Sequence, residues 1–173
     1  KSGEYGELSP SLPGSLQKYL TSKKIGKLYS HQAESIKKIR EGKNLIITTG
    51  TASGKTLCFN LPILETLEKE KKSTALYLYP LKALTNDQLK VLKEMEGFLD
   101  FRLQPAIYDG DTPQERRASI REKSRIILSN PYELHQVLPY HYKWENFFKN
   151  LKFVVIDEAH RYKGVMGSNV ALL

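Results

Sequence analysis

Short apolar runs alternate along the chain with longer segments in which apolar residues recur every three or four positions. Each run is about four to six residues long and rich in aliphatic and aromatic side chains, which is typical of a buried strand. The longer segments have the spacing of amphipathic helices. The pattern predicts five strands, at Asn44–Thr48, Thr74–Tyr79, Leu103–Tyr108, Arg125–Leu128 and Phe153–Ile156.

Helices are predicted around and between these strands. Four are predicted with both ends: Ser15–Ser22, Ser30–Arg40, Leu84–Met95 and Trp144–Phe148. Another runs from Thr112-Pro113 to about Glu122. Of the remaining three, one follows the Thr49–Thr56 loop and ends near Lys69, one begins at Asn130-Pro131, and one begins near Ser168. Strands that alternate with helices favour right-handed crossovers and a parallel sheet covered on both faces. We therefore expect an α/β domain over residues 14–173. Lys1–Pro13, rich in Gly, Ser and Pro, is expected to be a tail or linker.

The unusual segments of the chain all follow predicted strands. They are Thr49–Thr56, Pro80-Leu81-Lys82, Asp109–Thr112, Ser129-Asn130-Pro131 and Asp157–His160. The carboxyl ends of parallel strands meet at one edge of a sheet, and ligands of such sheets bind there. The pattern thus predicts one functional edge that gathers five segments.

Composition narrows the class of protein. The chain has 173 residues, of which 40% are hydrophobic and 27% charged, and no stretch is long and apolar enough for a membrane span. A single cysteine, Cys58, excludes an internal disulfide and a multi-cysteine metal site. We expect an intracellular protein, in the cytoplasm or with the nucleoid or nucleus. The net charge of +8 fits either a polyanion partner or a lysine-rich surface.

Thr49–Thr56 reads Thr-Gly-Thr-Ala-Ser-Gly-Lys-Thr and lies between a predicted strand and a predicted helix. Small residues let backbone N–H groups turn inward, and the helix N-terminus adds a positive partial charge, so this loop is expected to hold phosphates. Lys55 would reach the β- and γ-phosphates of ATP, and the Thr56 hydroxyl would ligate Mg²⁺. The usual pattern has Gly at the first position, where this chain has Thr49.

Two adjacent carboxylates, Asp157 and Glu158, follow the last apolar run. Asp157 would hold Mg²⁺ through water, and Glu158 would orient and deprotonate the attacking water, as phosphoryl transfer requires. An Asp-Glu pair after a strand can also simply cap the next helix. Its occurrence together with Gly54-Lys55-Thr56 favours the catalytic interpretation.

In these segments the chain resembles the superfamily-two helicases and translocases, whose first motor domain is a RecA-like P-loop NTPase domain. The phosphate loop resembles their motif I and Asp157–His160 their motif II, of DEAH type. Pro80–Leu84 with Asp87-Gln88 resembles motif Ia, Ser129–Pro131 a following motif, and Tyr29–Gln32 the upstream adenine-reading element.

This resemblance implies roles for individual residues. Gln32 would read the adenine edge, and residues 49–56 (Thr49, Gly50, Thr51, Ala52, Ser53, Gly54, Lys55 and Thr56) would form the ATP site together with Asp157. His160 would couple that site to strand movement. A nucleic-acid strand would pass Pro80, Lys82, Ala83, Gly110, Asp111, Asn130 and Pro131. Loop N–H groups and Lys82 can hold phosphates without reading bases, so binding would be weakly sequence-specific and salt-sensitive.

The segment His160–Ser168 resembles the Hrq/MrfA-like subgroup of DNA helicases, whose members carry a C-terminal four-cysteine zinc module. Members of this subgroup have Thr at the position of Thr49, and usually Pro at the position of Gly50. The resemblance implies DNA as the partner, with RNA left open, and a link to DNA repair. It also implies a second RecA-like domain beyond Leu173, so the chain is expected to be a fragment with weak nucleotide binding and little hydrolysis.

Several alternatives stay open from the sequence. A nucleic-acid-independent P-loop NTPase, such as a switch or transport ATPase, would not need Pro80–Gln88 or Ser129–Pro131, and a binding module would not need an intact Lys55, Asp157 and Glu158. His31 and His160 could suggest a metal site, but they lack ligand partners at metal spacing, so we expect them to be hydrogen-bonding residues. The last set forms either a packed helix face or a base-stacking platform: Tyr140, Tyr142, Trp144, Phe147 and Phe148.

Overall fold

The structure is a computed structural model that describes residues 4–48, 50 and 53–171. The chain divides into two compact units. The first holds the chain up to Glu70 together with Phe98–Asp100, and the second holds Lys71–Gly97 and the chain from Phe101 onward. None of the helices in these described ranges is long and apolar enough to cross a membrane.

The first unit is mainly helical. Its helices are α1 (Gly14–Ser22), α2 (Ser30–Arg40) and α3 (Lys55–Lys69), and its two short strands are β1 (Tyr5–Gly6) and β2 (Leu28–Tyr29), which pair antiparallel. Helices α2 and α3 pack against each other through fully buried side chains such as Ile36 and Leu61. Burial of this apolar area is the main force that holds the unit together.

The segment before Pro13 is more ordered than its composition indicates. Tyr5–Gly6 forms β1, Gly6 lies against Ala33 of α2, and Leu12 is buried. Arg40 Nη1 also donates a hydrogen bond to the Pro10 carbonyl at 2.6 Å. The sequence predicts no regular element here because a two-residue strand is too short to show a period of two.

The prediction of a strand over Asn44–Thr48 is wrong. No strand is assigned between Lys43 and Thr48, and the Ile46 side chain is 93% exposed. A strand exists only where a neighbour completes its hydrogen bonds, and no described residue pairs with this segment. The apolar run therefore has the residue types of a strand, but among the described residues it lacks the neighbouring strand with which it would pair.

The second unit contains a four-stranded sheet in which every ladder is parallel. Its strands are β3 (Thr74–Leu78), β4 (Ala106–Ile107), β5 (Ile126–Ser129) and β6 (Leu151–Ile156), in the spatial order β4-β5-β3-β6. Its helices are α4 (Lys82–Glu96), α5 (Gln114–Lys123), α6 (Pro131–Val137), α7 (Glu145–Lys149) and α8 (Gly164–Ala171). Two 3₁₀ helices cover Leu138–Trp144 and Ala159–Arg161. The predicted parallel α/β fold is confirmed.

Several element boundaries differ from the prediction. Of the predicted strand Leu103–Tyr108, only Ala106–Ile107 is in regular ladder register with β5, although Leu103 O accepts from Arg125 N at 3.0 Å and Tyr108 N donates to Leu128 O at 2.9 Å. The N–H groups of Leu103 and Gln104 donate instead to Glu96 Oε1, each at 2.7 Å. The last helix begins at Gly164 rather than near Ser168.

Burial follows the position of each strand in the sheet. Strands β3 and β5 are buried along their whole length, whereas β6 alternates, with Val154 and Ile156 exposed. Trp144 and Phe147 pack into the core of this unit and Phe148 packs against it, as the helix-face interpretation expects. Tyr140 and Tyr142 are instead exposed.

Candidate nucleotide and nucleic-acid site

The phosphate loop ends on the first turn of α3. Lys55 is the first residue of that helix and Thr56 the second, and both are half-buried. A helix N-terminus presents free N–H groups and a positive partial charge, so these residues stand where a phosphate would bind. Gly50, Ser53 and Gly54 are also described. The remaining predicted loop residues, Thr49, Thr51 and Ala52, lie outside the described residues.

Among the described loop residues, Gly54 is the one whose backbone requires glycine. It caps α3 in the left-handed conformation, with φ +73°. A Cβ atom on this residue would lie 2.5 Å from Gln32 Nε2, which is closer than carbon and nitrogen can approach. Another side chain would therefore be disfavoured twice, by the backbone angle and by this contact.

Two side chains from the start of α2 hold the loop. Gln32 is buried; its Nε2 donates to Gly54 O at 3.1 Å, and its Oε1 accepts from Tyr29 N at 2.9 Å. His31 Nε2 lies 2.9 Å from Ser53 O, and a carbonyl only accepts, so this nitrogen is the donor. These bonds give Gln32 a role in shaping the loop, while its reading of the adenine edge stays a prediction.

An aromatic stack stands at the same end of α2. The rings of Tyr5 and Tyr29 are 5.6 Å apart and inclined by 8°, and those of Tyr29 and His31 are 5.7 Å apart and inclined by 10°. Such offset parallel rings stabilise one another. Sequence analysis missed this stack because Tyr5 belongs to the segment expected to be a tail.

Asp157 and Glu158 lie at the carboxyl end of β6. Asp157 N continues the ladder by donating to Leu78 O at 3.1 Å, and its Oδ1 accepts from Glu158 N at 2.9 Å. Glu158 adopts a left-handed backbone with φ +51°, which is unfavourable for a residue with a side chain. Its Oε2 lies 3.3 Å from His160 Nε2, and His160 is largely exposed. The turn thus directs two neighbouring carboxylates into different surroundings.

Two tyrosines lie near Asp157. Burial, reinforced by the negative charge of Asp157, raises the pKa of Tyr162 to about 12 and that of Tyr79 further still. Both phenols therefore stay neutral at physiological pH and keep their protons as hydrogen-bond donors. Tyr79 is fully buried.

The predicted nucleic-acid residues lie at the same edge of the sheet as Asp157. Pro80–Ala83 follows β3, Gly110 and Asp111 follow β4, and Asn130-Pro131 follows β5. Asn130 caps α6, since its Oδ1 accepts from Glu133 N at 2.9 Å. Because all four strands are parallel, their carboxyl ends meet, as the sequence predicts for this unit.

Lys82 and Asp111 form an exposed ion pair between Nζ and Oδ2. It joins the loops after β3 and β4, the two strands on either side of β5. The hydrogen bond from Lys82 to the Asp111 carboxylate raises the pKa of the lysine. Lys82, the predicted phosphate contact, is thus engaged here with Asp111, another residue of the predicted nucleic-acid path.

Arg117 holds the loop after β4, and sequence analysis did not single it out. Its Nε donates to Thr112 O at 3.0 Å and its Nη2 to Asp109 O at 2.9 Å, while Nη1 lies 3.3 Å from Glu133 Oε1. The guanidinium also lies over the Tyr108 ring, 4.9 Å from its centroid. No local pattern marks this arginine among the other charges of its helix.

A model of the DEAD/DEAH box helicase family matches residues 29–173, which is most of the chain. The chain belongs to this family. Its sheet is that of the RecA-like helicase domains. The chain superposes on the crystal structure of the DUF1998 helicase MrfA bound to DNA and AMPPNP with a TM-score of 0.95. The two are 38% identical, and the match covers 99% of this chain and 24% of MrfA.

Curated relatives are also similar to this helicase-family chain. It is 42% identical over 153 residues to the uncharacterized ATP-dependent helicase YprA of Bacillus subtilis, covering 88% of this chain and 20% of YprA. It is 42% identical over 174 residues to the ATP-dependent helicase hrq1 of Schizosaccharomyces pombe, covering 98% of this chain and 16% of hrq1. The chain thus spans about a fifth of the length of these helicases.

Within this helicase domain the predicted site residues fall into two groups. Gln32, Gly54, Lys55 and Thr56 are in the first unit, whereas Asp157, Glu158 and His160 are in the second with the predicted nucleic-acid residues. No cluster of three or more His, Cys, Asp or Glu side chains suited to a metal ion occurs among the described residues. Hydrogen bonding, rather than metal binding, accounts for His31.

Proposed function

We propose that the chain is the ATP-binding part of an ATP-dependent motor that moves on DNA. The observation that carries this proposal is the sheet edge of the second unit, where Asp157 and Glu158 share one edge with the loops after β3, β4 and β5. An NTPase without a nucleic-acid partner needs the carboxylates but has no use for the three loops. Family membership agrees with the motor.

In the proposed site, the first unit binds the nucleotide phosphates. N–H groups of residues 49–54 and the start of α3 surround them, and the Lys55 ammonium neutralises charge on the β- and γ-phosphates. Gln32 faces the base and keeps the loop in shape through Gly54. This part of the site orients the substrate and lowers the charge that an attacking water meets.

Oxygen donors are the ligands that Mg²⁺ prefers, and Thr56 and Asp157 offer a hydroxyl and a carboxylate of that kind. These two residues would hold the ion together with phosphate oxygens, and the ion would neutralise charge on the transferred group. Glu158 accepts the proton of the attacking water. His160, 3.3 Å from the Glu158 carboxylate, passes the state of the nucleotide to the strand-binding side.

Hydrolysis would need more than this chain. Phosphoryl-transfer motors complete their site with an arginine from another domain, which accelerates the reaction by several powers of ten. Since the relatives are about five times longer, a second RecA-like domain and a four-cysteine zinc module are proposed for the whole protein. The 173 residues alone should bind nucleotide weakly and turn over little.

DNA is the proposed track, because MrfA, 38% identical, is described as bound to DNA. The charge of +8 favours a polyanion. Contacts to phosphates from loop N–H groups and Lys82 would make binding insensitive to sequence and weaker at high salt. We propose that the protein acts on DNA inside the cell and that it takes part in DNA repair.

ATP turnover by the full-length protein, measured with and without single-stranded DNA and single-stranded RNA, tests the proposal. Stimulation of several-fold or more by DNA is expected. Equal turnover in the absence and presence of both nucleic acids would favour the nucleic-acid-independent NTPase. Strong DNA-stimulated turnover by the 173 residues alone would contradict the need for a second domain.

A further inference from the structure

Two buried hydroxyl groups near Asp157 lack a hydrogen-bond partner. The Tyr79 side chain is fully buried, and its hydroxyl meets no donor or acceptor in the described part of the chain. The same holds for the buried hydroxyl of Tyr162. A buried polar group without a partner is costly, and phenylalanine would avoid that cost at either position. Two such groups beside one carboxylate therefore call for a functional explanation.

Strand register places Tyr79 next to Asp157. Leu78 of β3 is paired with Ile156 of β6, so the next residues of the two strands, Tyr79 and Asp157, are neighbours where the strands end. Their N–H groups continue the ladders, to Ser129 O at 3.0 Å and to Leu78 O at 3.1 Å. Paired residues of parallel strands project from the same face of a sheet. Tyr79 and Asp157 therefore share a face.

Tyr162 reaches the same region by another route. The turn after Asp157 is a single 3₁₀ helix, Ala159–Arg161, closed by bonds from Arg161 N to Glu158 O at 2.8 Å and from Tyr162 N to Ala159 O at 3.1 Å. This compact turn keeps Tyr162 near the strand end. The charge of Asp157 acts on both phenols, which agrees with their proximity.

We propose that Tyr79 and Tyr162 are positioning residues that orient the Asp157 carboxylate toward Mg²⁺, through hydrogen bonds that their hydroxyls would make to it by way of one water. The proposal rests on the proposed ATP site. A carboxylate accepts about four hydrogen bonds, of which Glu158 N supplies one, so it has capacity for both phenols. Groups that hold a metal ligand in place commonly change metal affinity by about 10- to 100-fold.

The test uses the full-length protein with Tyr79→Phe, Tyr162→Phe and, as a control, Tyr77→Phe. Tyr77 is also fully buried, on the same face of β3 two residues earlier, with its ring 6.5 Å from that of Tyr79. Binding of a fluorescent, non-hydrolysable ATP analogue is titrated with Mg²⁺, and thermal melting is recorded for each variant.

Tyr79→Phe and Tyr162→Phe are each expected to raise the Mg²⁺ concentration for half-maximal binding by about fivefold or more. Binding without Mg²⁺ should not change, and the melting temperature should stay equal or rise. Tyr77→Phe should keep the wild-type Mg²⁺ requirement. An unchanged requirement in both test variants would overturn the proposal, as would an equal shift in the control. Failure of the wild-type protein to bind the analogue at any Mg²⁺ concentration would refute the ATP site itself.

Discussion

The two units hold their predicted site residues in different ways. In the first unit, side chains hold a loop: Gln32 and His31 bond to the carbonyls of Gly54 and Ser53. In the second, the backbone ladder of a parallel sheet carries Asp157 directly to the strand end. A sheet fixes position through many equivalent bonds, whereas the loop depends on a few individual side chains.

This difference predicts how each part responds to change. Substitutions at the carboxylates should remove chemistry and leave the sheet intact, because the ladder does not use their side chains. Substitutions at the loop should disturb structure and binding together, because the same groups serve both. The predictions that follow test this contrast, beginning with the largest expected effect.

Glu158→Gln should lower ATP turnover of the full-length protein by about 100-fold or more, because the amide cannot accept the proton of the attacking water. Nucleotide affinity and melting temperature should stay close to those of the wild type. Steady-state turnover and equilibrium binding check this. Glu122→Gln, at an exposed position of α5, is the control and should leave all three unchanged. A Glu158→Gln variant with normal turnover would remove Glu158 from its proposed role.

Gly54→Ala should weaken nucleotide binding by about tenfold or more and destabilise the first unit by about 2–4 kcal/mol, from the left-handed backbone and the overlap with Gln32. Binding titrations and urea unfolding measure the two losses. Gly26→Ala is the matched control, since its Cβ would meet no atom within 4 Å. Loss of binding at full stability would show that loop shape and unit stability are separate, against the contrast drawn above.

The sequence indicates candidate site residues more readily than the side chains that hold them in place. Lys55, Asp157 and the loops after the strands are readable because each motif needs particular residue types at short spacing. The parallel direction of the strands also follows from alternating strands and helices. These features are local, or are repeated along the chain.

Side-chain contacts between residues that are distant in the sequence could not be predicted. Tyr5 meets Tyr29, and Arg117 meets Glu133, through contacts that no short pattern encodes. The wrong strand over Asn44–Thr48 has the same origin, because an apolar run shows a tendency to pair but not whether a neighbour exists. The composition of a segment sets which secondary structures it can form, and its neighbours in the fold determine which of these it adopts.

Arg117→Met should destabilise the second unit by about 2 kcal/mol, because it removes the arginine partner of the buried Glu133 carboxylate and one hydrogen bond from each of two loop carbonyls. The loop over Asp109–Thr112 should exchange its amide hydrogens faster, while β6 and Asp157 should not. Hydrogen-exchange mass spectrometry resolves the two regions. Arg116→Met, exposed on the same helix, is the control. Faster exchange throughout the sheet would mean that the sheet depends on side chains as the loop does.

Glu65→Gln should destabilise the first unit by about 1 kcal/mol at neutral pH. Burial alone would raise the pKa of Glu65, but hydrogen bonds from Arg40, at 2.8 and 3.0 Å, and from Lys69 outweigh it and lower that pKa. Because its pKa is lower in the folded state, Glu65 stabilises the folded protein at pH values above its ordinary pKa of 4.5. That stabilisation is lost as the pH falls through the folded-state pKa.

The difference in unfolding free energy between wild type and Glu65→Gln should therefore be constant from about pH 7 to 5 and shrink below 4.5. Urea unfolding across that range measures it. Glu34→Gln is the control, because its carboxylate forms an exposed i,i+4 pair with Lys38 and contributes little. A difference that grows on acidification would contradict the proposed sign.

The smallest expected effect concerns the Lys82–Asp111 pair. If Lys82 contacts a phosphate, the Asp111 carboxylate competes for its ammonium group and repels the phosphate, so Asp111→Asn should tighten single-stranded DNA binding by the full-length protein by about two- to fivefold. Lys82→Ala should weaken binding by a similar factor and lower the slope of log affinity against log salt by about 0.7. Lys90→Ala, exposed on the same helix, should do neither. Because both partners are exposed, the pair itself adds little stability, so melting should not change. Weaker binding after Asp111→Asn would instead mean that the ion pair holds the two loops in their binding shape, and that side chains also shape the strand-binding edge of the second unit.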